Sequence, residues 1–166
     1  MQVFVPEKSY NESVKHVDSR RLNKQIIECN QIYKANVGIS TGWKNHCVSR
    51  LWKSYEKELM YYAWCCYHEL VQRGGNPSKP CVYDLDGVQV SYLSKLNQNI
   101  NDPELLVGDV KPTHFMKLDW WVSAMRSHLL AKDLDYYSQF KWKEQPVSGY
   151  YAINKYGDWE KYSIKI

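Results

Sequence analysis

A chain of 166 residues with 44% hydrophobic residues can bury one real core but not two, so a single compact domain over 1–166 is expected. Five cysteines, odd in number and without CxxC spacing, argue against a disulfide frame. The absence of a long apolar run argues against a membrane span, so a cytoplasmic protein is expected. Residues 1–57 carry ten Lys/Arg against five Asp/Glu and the remainder twelve against thirteen, so the net charge of +4 comes from the N-terminal third, as for one basic face meeting a polyanion.

Residues 1–8 read as an extended lead-in ending near Pro6 and tied to the body of the protein. A short helix follows from Ser9, with Glu12 placed for a capping box. Asp18 then caps a longer helix over Asp18–Tyr33. At about 100° per residue, Leu22, Ile26, Cys29 and Tyr33 form its apolar stripe. Arg20, Arg21, Lys24, Glu28 and Gln31 gather on the opposite side. One carboxylate among three cations is a way to hold an acid/base group in an anion-binding groove; the plainer reading is a solvated stripe in which Glu28 and Lys24 pair at i, i+4.

Gly38–Gly42 reads as a loop that delivers Trp43, Lys44, Asn45 and His46 to the next element. There an imidazole can reach a groove or simply cap a helix. Val48, Leu51, Trp52, Tyr55, Leu59, Tyr62, Cys66 and Leu70 recur at helical spacing and predict one long helix over about 45–73, stopped by Gly74-Gly75-Asn76-Pro77. Trp43 and Trp52 are expected in the core rather than as wedges. Residues 77–113 read as a loop-rich insert with a small hairpin around Asp84–Gly87. A third helix is expected from about Lys117 to Ala131, carrying Arg126 and His128, and the tail from Tyr136 as coil with short strands over the helices. The fold class is mainly α. Cys65, Cys66 and His68 share one helix without a second ligand pair, so no metal site is expected. No Gly-rich phosphate loop or nucleophile elbow occurs.

Several ordered blocks together resemble the pyrimidine-dimer DNA glycosylase (endonuclease V) family, in its bacterial branch. They are Met1–Pro6 (MQVFVP); Asp18–Glu28 (DSRRLNKQIIE), whose family form is close to LD-x-x-RLGKQRVE; Gly42–His46 (GWKNH) with Arg50-Leu51-Trp52 and Tyr55-Glu56; Arg73-Gly74; and Arg126–Asp133 (RSHLLAKD), continuing to Tyr136–Phe140 and Trp142. The resemblance implies an all-helical fold acting on double-stranded DNA as a glycosylase with associated AP lyase activity, needing no cofactor, in a protein expected to be a monomer.

In that family an amine attacks C1′ of the damaged nucleotide, the base leaves, and the resulting imine allows β-elimination. The resemblance makes the α-amine of Met1 the candidate nucleophile, because bulky Gln2 should leave Met1 in place; Lys24 or Lys44 is the fallback. Arg20 and Lys24 match two arginines of the phage prototype, whose glutamate position is Arg21 here. Glu28, one turn beyond Lys24, is the replacement carboxylate. DNA contacts are expected from His16, Arg20, Arg21, Lys24, Gln25, Lys44, His46, Arg50, Arg126 and His128. The alternative from another class is a non-catalytic module that recognises or shields modified DNA on the same scaffold.

Overall fold

A computed structural model describes residues 1–78, 80, 82–83, 89–90, 113–153 and 159–162. The helices are α1 (Tyr10–His16), α2 (Ser19–Asn36), α3 (Cys47–Leu51), α4 (Glu56–Gln72), α5 (Asp119–Lys132) and α6 (Leu134–Tyr137). Two antiparallel strand pairs accompany them: β1 (Val82–Tyr83) with β2 (Gln89–Val90), and β3 (Tyr150–Ile153) with β4 (Trp159–Tyr162). The architecture is mainly helical, as expected. Residues 84–88, where a hairpin turn at Asp84–Gly87 is expected, and most of the 77–113 insert lie outside the described residues.

The core forms where α2 and α4 pack along each other. The centre of α4 is apolar on every side: Leu59 through Cys66 are all buried, which marks a helix enclosed by neighbours. The stripe of α2 predicted from spacing is the observed one, with Leu22, Ile26 and Cys29 at 0% exposure. Asp18 caps α2 by accepting the Arg21 backbone N–H at 3.0 Å. Gly38 and Gly74 follow the ends of α2 and α4 with φ of 82° and 77°, the left-handed backbone that terminates helices and suits glycine.

Three expectations change. The predicted helix over 45–73 is two helices, α3 and α4, separated by a turn at Trp52–Tyr55 in which Ser54 takes φ 70°. Trp52 and Tyr55, on either side of the break, both pack edge-on against Phe115, at 5.2 and 5.7 Å between ring centres. That ring, about sixty residues away in the chain, is invisible to local periodicity. Ser9 precedes α1 without a side-chain cap, and Glu12 pairs instead with Lys15 at 2.7 Å. The C-terminal carbonyls of α1 are satisfied by Arg73, whose guanidinium donates to Val14, Lys15 and Val17. Trp43 is 40% exposed, whereas Trp52 is fully buried.

The lead-in is the unusual element. Residues 2–6 are all buried, so their backbone groups need partners other than water, and three helices supply them. From α2, Gln25 accepts the Phe4 N–H at 2.7 Å and donates to the Gln2 carbonyl at 2.9 Å. From α4, the Tyr62 hydroxyl donates to the Phe4 carbonyl. From α5, Arg126 donates to the Pro6 carbonyl at 3.0 Å. The chain's first residues are thus threaded into the core, and the Met1 nitrogen emerges at a fixed place.

Candidate active site

That place is a cleft of about 270 Å³ lined by Met1, Gln2, Phe4, Arg20, Arg21, Lys24, Gln25, Glu28 and Lys132. The polar face of α2 forms its floor, the lead-in one wall, and the end of α5 contributes Lys132. The Met1 side chain is only 2% exposed, so its thioether anchors the residue, and its nitrogen lies 4.0 Å from Oε1 of Glu28, which also lines the cleft.

Glu28 uses its two oxygens differently. Oε2 accepts the Gln2 backbone N–H at 3.1 Å and the Gln25 side-chain amide at 3.3 Å. Oε1 faces the Met1 nitrogen at 4.0 Å and Lys24 Nζ at 3.9 Å. The Glu28 side chain is 10% exposed, while the Lys24 side chain is 71% exposed. An ion pair with so solvated a lysine contributes little to stability. A buried carboxylate anchored by one oxygen and aimed by the other at an amine is arranged for proton handling and for stabilising a nearby cation.

The other expected site residues divide by position. Arg20 and Lys24 line the cleft and are exposed. Arg21 also lines it, but its guanidinium is engaged: it donates to Asp18 at 2.7 Å and to the Lys132 carbonyl at 2.9 Å, and lies over the Tyr137 ring. Gln25, expected to touch DNA, is 1% exposed, and its amide is taken up by the lead-in and Glu28. His128 is likewise 1% exposed and sits 3.0 Å from the Gln2 side-chain amide. Both are brought to the site as buried supports of its N-terminal wall, because a residue on the inner side of a helix that packs against the lead-in has no path to solvent.

His16 and Arg126 meet elsewhere, around Glu7, at 3.6 and 2.7 Å. The rings of Phe140 and Trp142 pack on His16, and Trp142 also lies under the Arg126 guanidinium. This cluster fastens the segment after α6 to α1 and α5. Lys44 and Arg50 are exposed on the loop before α3 and on α3 itself. His46 caps α3 by accepting the Val48 N–H on Nδ1 at 3.2 Å, and its ring meets Trp43 edge-on. Burial first, then the positive charges of the Met1 ammonium and Arg50, hold His46 below the usual imidazole range. Because Nδ1 accepts the Val48 N–H, the neutral form of the ring carries its proton on Nε2.

Sequence reasoning missed Lys132 and Gln2 as members of the site. Lys132 belongs to a block about a hundred residues along the chain from α2, and only tertiary packing joins the two. The four described cysteines, Cys29, Cys47, Cys65 and Cys66, form no disulfide with one another. Burial pushes Cys29 and Cys66 well above the usual thiol range, so neither is a nucleophile. No helix among the described residues is long and apolar enough to cross a membrane.

A family profile described as pyrimidine dimer DNA glycosylase matches residues 1–83. The chain belongs to that family. The matched half contains the lead-in, α1 to α4 and β1, and with them Met1, Arg20, Lys24 and Glu28. The residues on α5 that the sequence blocks brought in, Arg126 and His128, lie beyond the match, as does Lys132. No curated protein and no solved structure matches the chain.

Proposed function

We propose that this member of the pyrimidine dimer DNA glycosylase family excises a damaged base from duplex DNA and then nicks the strand, as a monomer, with the Met1 α-amine as nucleophile and Glu28 as its acid/base partner. The observation that carries the reading is the 4.0 Å approach of Glu28 Oε1 to the Met1 nitrogen, between two residues that line a cationic cleft.

The chemistry follows from that pair. The amine lone pair forms a bond to C1′ of the damaged nucleotide while the C1′–N glycosidic bond breaks, its electrons leaving with the base, which takes up a proton. Glu28, negative and close by, stabilises the oxocarbenium character that builds at the sugar. Loss of the amine proton and opening of the sugar ring give a C1′ imine. The imine acidifies C2′; removal of a C2′ proton expels the 3′ phosphate by cleavage of the C3′–O bond. Water then hydrolyses the imine and returns the amine. A neutral α-amine is better suited to the first step than a lysine, because α-amino groups ordinarily titrate near about 8 and lysines near about 10.

Arg20, Lys24 and Lys132 would take the phosphates flanking the lesion, and Lys44 and Arg50 those further along the strand. The lesion class is the pyrimidine dimer of the family's description, with other damaged bases open to the same chemistry. The test is incubation with UV-irradiated, abasic and undamaged duplexes, followed by borohydride reduction. The expected result is nicking and a covalent adduct on the first two and neither on the third. Tight binding to UV-irradiated duplex with no adduct and no nick would favour a non-catalytic damage-recognition module.

A further inference from the structure

We propose that Gln25 is a positioning residue that sets where the Met1 amine stands relative to Glu28. The proposal rests on the reading of that amine as nucleophile. The Gln25 side chain is 1% exposed, and both ends of its amide are engaged. Oε1 accepts the Phe4 N–H at 2.7 Å, and Nε2 donates to the Gln2 carbonyl at 2.9 Å and to Glu28 Oε2 at 3.3 Å. A single side chain thereby pairs with residues 2 and 4 as the backbone of a parallel neighbouring strand would, and joins that pairing to the reactive carboxylate.

The consequence falls on Gln2. Its N–H is held by Glu28 at 3.1 Å, its carbonyl by Gln25, and its side-chain amide lies 3.0 Å from His128 Nδ1. With residue 2 fixed on both backbone groups and the Met1 side chain buried, the amine is one peptide unit away from the clamp, about 3.8 Å from one Cα to the next. Gln25 therefore fixes the nucleophile and, through its second donor contact, the oxygen of Glu28 opposite the one that faces it. Displacement of a reacting atom by about 1 Å costs roughly 100-fold in rate, so a residue two bonds of the network away can control turnover without touching DNA.

A purely architectural glutamine would affect folding or DNA affinity; a positioning residue affects the covalent step. Single-turnover borohydride trapping on a duplex with a preformed abasic site separates them, comparing wild type with Gln25→Met and Gln25→Glu. Near-UV circular dichroism follows the fold, and an uncleavable abasic analogue reports affinity. For Gln25→Met, the saturating trapping rate is expected to fall about 100-fold, with the half-saturating concentration within about twofold of wild type.

Gln25→Glu adds a pH signature and remains informative if Gln25→Met fails to fold. A protonated carboxyl keeps the acceptor for the Phe4 N–H and one donor in place of the amide's two, so it restores the clamp in part, and burial beside Glu28 raises its titration above the ordinary carboxylate range. Its trapping rate relative to wild type should therefore rise as pH falls from about 8 to about 5. Variants that trap at the wild-type rate overturn the clamp alone, as does a flat pH ratio or a rate loss matched by lost affinity. A wild type that traps nothing overturns the nucleophile assignment first, and the clamp with it.

Discussion

Glu28 faces the Met1 nitrogen with one oxygen, at 4.0 Å, while its other oxygen accepts the Gln2 N–H at 3.1 Å. The gap on the working side exceeds a hydrogen bond, and a reacting sugar carbon bonded to the amine would lie beside that oxygen. Glu28→Gln keeps the acceptor for Gln2 and removes the charge. Strand nicking by this variant should drop by about 10²- to 10⁴-fold with affinity for abasic duplex within a few-fold of wild type. Full activity in the variant would remove Glu28 from the mechanism.

The cations around the cleft should separate into DNA contacts and structural members. Arg20→Ala, Lys24→Ala and Lys132→Ala are each expected to lower the slope of log affinity against log salt by about one, since each gives up one phosphate. Arg21→Ala should instead lower stability by about 1–3 kcal/mol, because it strips bonds from Asp18 and the Lys132 carbonyl. Salt titrations of duplex binding with parallel denaturant melts check both. An unchanged slope for all three alanine variants would detach the cleft from DNA.

His46 provides an electrical gauge of the N-terminus. Burial, the Met1 ammonium and Arg50 together hold its imidazole below the ordinary value. Acetylating the α-amine deletes one of those charges and should raise the His46 midpoint in an NMR titration. The lowered folded value also fixes a sign: the contribution of His46 to stability is full above about 6.5, the unfolded value, and is lost as pH falls through the folded one. A midpoint unmoved by acetylation would mean that the amine stands away from His46.

Asp18 and Tyr137 tie α2 to α6. The Tyr137 hydroxyl donates to Asp18 Oδ2 at 2.6 Å and accepts the Asp18 N–H at 3.2 Å. Burial alone would raise the Asp18 carboxyl, but the bonds from Tyr137 and Arg21 outweigh it and hold the group below the usual carboxylate range. Its stabilising contribution is therefore present above about pH 3.9, the unfolded value, and is lost as pH falls through the lower folded one. Tyr137→Phe should cost about 1–3 kcal/mol at about pH 7 and less at about pH 2.5, measured by urea denaturation at both pH values. An equal cost at both would assign the loss to packing.

Much of this fold is legible in the sequence, because it resides in local periodicity. The two faces of α2, its Asp18 cap and the carboxylate set among cations follow from spacing along one helix. The split between α3 and α4 does not, because Phe115 draws both Trp52 and Tyr55 from outside the pattern. Nor does the role of Gln25: its helix position is compatible with solvent or core, and only the threading of residues 2–6 beneath α2 decides between them. Lys132 and His128 reach the site through the packing of α5, which no local signal encodes. Polar residues on the inner side of a helix look like DNA contacts as long as the strand-like lead-in they serve is out of view.

The most direct measurement is the identity of the atom that becomes bonded to DNA. Wild-type protein is reduced with borohydride on an abasic duplex, digested with protease and nuclease, and the modified peptide mapped by tandem mass spectrometry. The adduct is expected on the α-nitrogen of Met1, within the peptide that begins MQVFVPEK. An adduct on Lys24 or Lys44, or none under conditions that trap an established lyase, would contradict the assignment of the Met1 amine as nucleophile.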